Sequence, residues 1–178
     1  MSSAKLKPIP ASTDGDVAAA VDALRRILRS LRLAARMTET KAGLSAAQLY
    51  VLNAVAASGE ASVNELAGRT MTDRSSVASV IDRLTERGLV VRKVAAEDRR
   101  RAAVRITAAG TRALRRAPEA PTQLVIDALR SLLPVQLGDA ARGLTALTVA
   151  MGIAGEPAGM FFEDGPRVRA KRAKGGVQ

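Results

Sequence analysis

The chain contains no cysteine, no histidine and no tryptophan, and its aromatic residues are Tyr50, Phe161 and Phe162. Each absence removes a class of chemistry. Without cysteine there is no disulfide, no thiolate nucleophile and no thiol redox switch. Without histidine the imidazole metal ligand and the commonest general acid–base group are missing. No group of acids has the spacing of a carboxylate-only metal site, and there is neither a nucleophile–base pair nor a glycine-rich phosphate loop. No catalytic, metal or cofactor site is therefore expected, and an enzyme is the remote reading. The N-terminal stretch "MSSAKLKPIPASTDG" lacks the apolar core of a signal peptide. Residues 42–59 carry no charge, yet Ser45, Gln48, Asn53 and Ser58 interrupt them, which fits a buried or amphipathic helix better than a membrane span. A cytoplasmic protein with no membrane partner is expected.

Basic residues, by contrast, are abundant. The 178 residues carry a net charge of +11, which points to a polyanionic partner. The excess is concentrated. Residues 92–116 hold nine basic side chains against two acids, Glu97 and Asp98, and Arg99, Arg100 and Arg101 are consecutive. Self-repulsion in such a row requires either solvation or an anion to offset it.

Along the chain, residues 1–15, with Pro8 and Pro10, read as a flexible arm. From Asp16 apolar residues recur at helical steps, through Val17, Val21, Leu24, Ile27, Leu28, Leu31 and Ala35, and Gly43 closes the region. Ser45 with Gln48, and Ser62 with Glu65, match the capping-box spacing and predict two helix starts. The second of these helices is short. Thr72 or Asp73 caps the next, whose apolar stripe is Val77, Val80, Ile81 and Leu84 and which stops at Gly88. "LVVRKV" and "RAAVRI" predict two strands joined by a charged loop. Thr107 caps a further helix, which Pro118 and Pro121 should kink or interrupt. Helical patterning resumes over 122–133 and from Pro134 to about Ile153, and the remainder, 155–178, reads as a basic mobile tail.

Short helix, turn, helix and two-stranded hairpin form a winged helix-turn-helix, a mainly α fold with a small β-hairpin wing. In that fold the helix at about 73–87 enters the major groove of double-stranded DNA. The face opposite its apolar stripe carries Arg74, Ser75, Ser76, Ser79 and Arg83. Serines allow close approach and bond either base edges or phosphates, whereas arginines at the helix ends suit phosphates. The wing at about 95–101 places Arg99, Arg100 and Arg101 where a narrow minor groove concentrates negative potential. The apolar stripes at 16–40 and 122–153 are broader than one such lobe needs, so a homodimer is expected to bury them.

The motifs "ELA", "SSV", "DRLTERGLV" and "EDRRRAAVRITAAG" resemble the DNA-binding lobe of the MarR (multiple antibiotic resistance regulator) family of transcription factors. The resemblance is dense over about 50 residues and extends by helix order from about 16 to 153. It implies that Asp98 stabilises the wing and that Arg100 is the minor-groove residue. It also implies a homodimer intertwined through its N- and C-terminal helices, bound to a palindromic operator and often released by a small aromatic or anionic effector. No sequence motif marks residues that would hold an effector. On this reading the organisation is an arm (1–15), an N-terminal dimerisation helix (16–44), a DNA-binding lobe (45–110), C-terminal dimerisation helices (111–154) and the tail. Two features depart from the family: Pro118 and Pro121 fall where it has one long helix, and few aromatics are available to line a ligand pocket. Other readings stay open: a sequence-indifferent architectural DNA-binding protein, or a winged helix used as a protein-interaction module.

Overall fold

A computed structural model describes residues 11–94, 102–156 and 158–162. Helix α1 spans Ala11–Ala42 and ends at Gly43, whose φ of 63° places it in the left-handed region that glycine enters without strain. Helix α2 spans Ala46–Ser58. Its capping box is complete: the Gln48 N–H donates to Ser45 Oγ at 3.2 Å, and the Ser45 N–H donates to Gln48 Oε1 at 3.1 Å. The absence of charge in this stretch has a structural reason. Leu49, Val51, Leu52 and Val55 are fully buried, and α2 is packed against α3, α4, α5, α6 and the sheet. It is the central post of the domain.

Around it stand β1 (Glu60–Ser62), α3 (Val63–Thr70), α4 (Arg74–Glu86), β2 (Val90–Val94) and β3 (Ala102–Ile106). The Ser62–Glu65 capping box opens α3, and Asp73 caps α4. Helix α4 closes with the Gly88 N–H donating to the Thr85 carbonyl and the Leu89 N–H to the Leu84 carbonyl, each at 2.9 Å. Gly88 takes the left-handed φ of 67° that this double closure requires. The strands form an antiparallel sheet in the order β1-β3-β2. The two-stranded hairpin expected from the alternating pattern is thus a three-stranded sheet. Its extra strand, β1, pairs Glu60, Ala61 and Ser62 with Arg105, Val104 and Ala103. Three residues are too few to show a period-two pattern, and β1 exists through backbone bonds to a strand some 40 residues away.

Helix α5 (Ala108–Arg116) is capped by Thr107, whose hydroxyl accepts the Gly110 N–H at 3.1 Å. The chain leaves the helix at Ala117, before Pro118, and α6 restarts with Pro121 in its first turn, spanning Pro121–Arg130. The interruption expected from these two prolines is therefore a full break. Helix α7 spans Pro134–Ala150.

Two expected boundaries differ from those observed. The arm was expected to run to residue 15, but Ala11–Gly15 are already helical. Asp14 in the first turn complements the helix dipole, and Gly15 has open space around it. The tail expected from 155 is not wholly apart from the body, because Met160 is only 8% exposed and belongs to the main hydrophobic cluster. A single methionine in a polar stretch carries no periodicity, so nothing in the sequence marks it as core. Residues 1–10, 157 and 163–178 lie outside the described residues.

Candidate nucleic-acid interface

The turn between α3 and α4 is built by Met71, Thr72 and Asp73. Met71 holds a left-handed conformation at φ 50°, and its N–H bonds back to the α3 carbonyls of Ala67 and Gly68. Thr70 is buried, and its hydroxyl donates to the Leu66 carbonyl at 2.8 Å. The turn is therefore anchored from both sides, and this fixes the direction in which α4 leaves it.

Helix α4 buries Val77, Val80, Ile81 and Leu84 almost completely, as its sequence period required. The opposite surface starts at the exposed Arg74 and Ser75 and continues through the half-buried Ser79 to Asp82 and Arg83. Ser76 lies toward the flank and is half-buried, with its N–H donating to Asp73 Oδ1 at 2.9 Å. The Ser75 hydroxyl donates to the same carboxylate oxygen at 2.5 Å. These bonds from Ser75 and Ser76 hold the Asp73 carboxyl well below the usual carboxylate range. The structure thus brings Arg74, Ser75, Ser76, Ser79 and Arg83 onto one helix, with the first three in its first turn.

Beside α4, β2 and β3 extend outward in register, with Val90 opposite Ile106 and Val94 opposite Ala102. Arg92 of β2 reaches Asp82 of α4 with a 2.6 Å ion pair, and Arg105 of β3 reaches Glu60 of β1 at 3.4 Å. The first pair ties β2, at the base of the wing, to the exposed face of α4. In the sequence Arg92 is one of nine basic residues over 92–116, with nothing to mark a role for it. The two residues are ten positions apart across a helix end and a turn, and no local pattern links them. The expected wing residues Asp98, Arg99, Arg100 and Arg101 lie outside the described residues.

A second long-range link lies just past the C-terminus of α4. Arg87 donates to Gln48 Oε1 at 2.9 Å, so the capping side chain of α2 also secures the end of α4. Gly43, at the end of α1, lies close to the same Arg87 guanidinium. Elsewhere, a cleft of about 300 Å³ is lined by Tyr50, Asn53, Ala54, Ala57, Arg69 and Gln123. Tyr50 is buried, and burial pushes its hydroxyl pKa up. Among the described residues there is no group of three or more acids that could hold a metal ion. None of the described helices is long and apolar enough to cross a membrane.

Comparison with known proteins gives the same picture. The model of the MarR family matches residues 42–101, which run from the end of α1 into the wing. A putative transcriptional regulatory protein for the hcr operon of Thauera aromatica is 32% identical over 116 residues, covering 65% of this chain and 67% of that protein. Among solved structures, a MepR-like protein complexed with pseudoligands aligns with a TM-score of 0.53 at 24% identity, over 74% of this chain and 94% of its own. The PcaV transcriptional regulator of Streptomyces coelicolor, in complex with its natural ligand, aligns with a TM-score of 0.52 at 24% identity, over 82% and 99%. The two structures share the fold, the family model covers the lobe that holds α3, α4 and the start of the wing, and the Thauera protein matches well beyond that lobe: the chain belongs to the MarR family and is a DNA-binding transcriptional regulator.

Proposed function

We propose that two copies of this chain associate and repress transcription from a palindromic operator. Each copy sets α4 in the major groove and the wing, about 95–101, in the adjacent minor groove. The observation that carries the reading is α7. None of its residues is buried in the single chain, and Val135, Leu144 and Val149 are 74%, 50% and 62% exposed. A 17-residue helix with that much bare apolar surface needs a partner. Helix α1 has the same need, because Val17, Ile27 and Leu28 are exposed on its apolar stripe. An apolar groove between α1 and α6, lined by Ile27, Leu31, Leu124, Val125, Ala128 and Leu129, offers a second copy a seat. A two-fold axis through such an interface relates the two α4 helices, and an inverted repeat mirrors it.

On DNA, Arg74, Ser75, Ser76, Ser79 and Arg83 are the proposed contacts of α4, and Arg99, Arg100 and Arg101 those of the wing, with Asp98 stabilising the wing. A small-molecule effector completes the proposal. The MepR-like protein and PcaV hold ligands. Here the cleft lined by Tyr50, Asn53, Arg69 and Gln123 has the size and the polar groups to take a small anion.

The test is genome-wide mapping of bound sites, followed by footprinting and a reporter driven by a bound promoter. The expected result is an inverted repeat with half-sites about one helical turn, roughly 10 bp, apart, and a reporter that rises when the regulator is deleted. Equal protection of random and promoter DNA would make the protein architectural. A reporter that falls on deletion would make it an activator.

A further inference from the structure

We propose that Asp73 fixes the hydrogen-bonding polarity of Ser75, so that on DNA Ser75 selects a base with an exocyclic amino group, adenine or cytosine, on the strand it faces. The inference rests on the reading of α4 as the helix that enters the major groove. A serine hydroxyl has one proton to donate and two lone pairs with which to accept. Here the proton is committed. The Ser75 hydroxyl donates to Asp73 Oδ1 at 2.5 Å, within the range of a charge-assisted O–H···O⁻ bond. The carboxylate is itself pinned, because the same oxygen accepts the Ser76 N–H at 2.9 Å. To donate to a base instead, Ser75 would exchange a bond to an anion for one to a neutral acceptor, which is about half as strong. Its lone pairs remain available for recognition.

Position strengthens the argument. Ser75 is exposed and is the second residue of the helix, in the N-terminal turn that meets base edges in helix-turn-helix proteins. In the major groove, guanine N7 and O6, adenine N7 and thymine O4 are acceptors, and a hydroxyl with no free proton finds no bond there. Adenine N6 and cytosine N4 are donors, and these the hydroxyl can accept. Phosphate oxygens only accept, so Ser75 is not a phosphate anchor. Asp73 is a positioning residue with a second effect. Its exposed carboxylate adds another acceptor beside Ser75 and repels phosphate, favouring bases with amino groups over indiscriminate backbone binding. Because its neighbours hold this carboxyl below the usual carboxylate range, it stays ionised across the pH range in which DNA binding is measured.

The test is selection of bound duplexes from a randomised pool by the full-length protein, with the enriched sequences read position by position. Wild type should show, in each half-site, one position where adenine or cytosine is preferred by about threefold to tenfold, the scale of a single good base contact. Ser75→Ala should flatten that position and leave the rest of the profile unchanged. Asp73→Thr keeps a hydroxyl to cap the helix but no longer holds the Ser75 proton with a charge. It should admit guanine and thymine at the same position while circular dichroism and melting remain native. Asp73→Asn retains a carbonyl oxygen for both bonds. Because that oxygen is neutral, this variant should relax the same position only in part, less than Asp73→Thr, while raising affinity for all sequences. A preference for guanine or thymine at the position lost in Ser75→Ala overturns the inference, as does a Ser75→Ala profile identical to wild type. If wild type binds the pool without enriching any sequence, the reading of α4 fails and the inference fails with it.

Discussion

Gly110→Ala should destabilise this protein by about 0.5–4.5 kcal/mol. Gly110 lies in the first turn of α5, where alanine is ordinarily the better helix former. A Cβ at this position, however, would stand 2.2 Å from the Leu89 carbonyl oxygen and 2.7 Å from Ile106 Cγ1. The side-chain atom can yield, but the carbonyl cannot move freely. It accepts the Thr107 N–H at 3.0 Å and the Thr107 hydroxyl at 3.1 Å, and that hydroxyl in turn caps α5 through the Gly110 N–H. To relieve the clash, the start of β2 and the start of α5 must separate by roughly 1 Å. Overpacking of this kind costs about 1–3 kcal/mol. Loss of the Thr107 N–H bond adds about 0.5–1.5 kcal/mol, since the single hydroxyl proton is shared with the closer Gly88 carbonyl at 2.8 Å, and the gain in helix propensity returns up to about 1 kcal/mol. Gly68→Ala is the control. Gly68 also lies within a helix, α3, but a Cβ there would meet nothing within 4 Å, so this change should stabilise by up to about 1 kcal/mol. Urea denaturation at one fixed protein concentration, which holds any subunit association constant, measures both. A neutral or stabilising Gly110→Ala would show that the Leu89–Thr107 clasp is not the constraint argued for.

Arg100→Ala should weaken operator binding by about 1–3 kcal/mol and lower the slope of log affinity against log salt by about one unit, with Asp98→Ala producing part of the same loss; unchanged salt titrations for both Arg100→Ala and Arg99→Ala would leave the wing a solvated loop. Leu144→Arg combined with Leu147→Arg on α7 should move the sedimenting species from about twice 18.6 kDa to the monomer, and a double variant that still sediments as wild type would place the interface elsewhere. Arg92→Ala should change stability by less than about 1 kcal/mol, because both partners of its ion pair with Asp82 are well exposed; it should nevertheless weaken operator binding, since Asp82 then faces the phosphates unpaired, and equal affinity for variant and wild type in a gel-shift titration would dismiss that role. Peroxide and zinc at physiological levels should not release DNA through thiol or imidazole ligands, because the chain has neither cysteine nor histidine; peroxide-sensitive binding would point to its five methionines.

Everything whose physics is local can be read from the chain alone. The helix starts at Ser45, Ser62 and Thr107, and the start of α4 to within Thr72 or Asp73, are legible because a cap is a bond between a side chain and a backbone N–H about three residues ahead. The buried stripe of α4 is legible because 3.6 residues make a turn, and the break before α6 because proline cannot continue a helix. The α4 side chains proposed to contact DNA were named from that same local pattern. Everything that joins distant segments emerges only once the chain is folded: β1 paired with β3, Met160 in the core, Arg87 on Gln48, Arg92 on Asp82, and the space denied to a side chain at Gly110. The hydroxyl of Ser75 lies between the two cases. Its place on α4 follows from periodicity, but the direction of its proton follows from the Asp73 carboxylate that the α3–α4 turn sets beside it. Such pairings leave no period in the sequence, because backbone hydrogen bonds and close packing are satisfied by whichever segment the fold brings near.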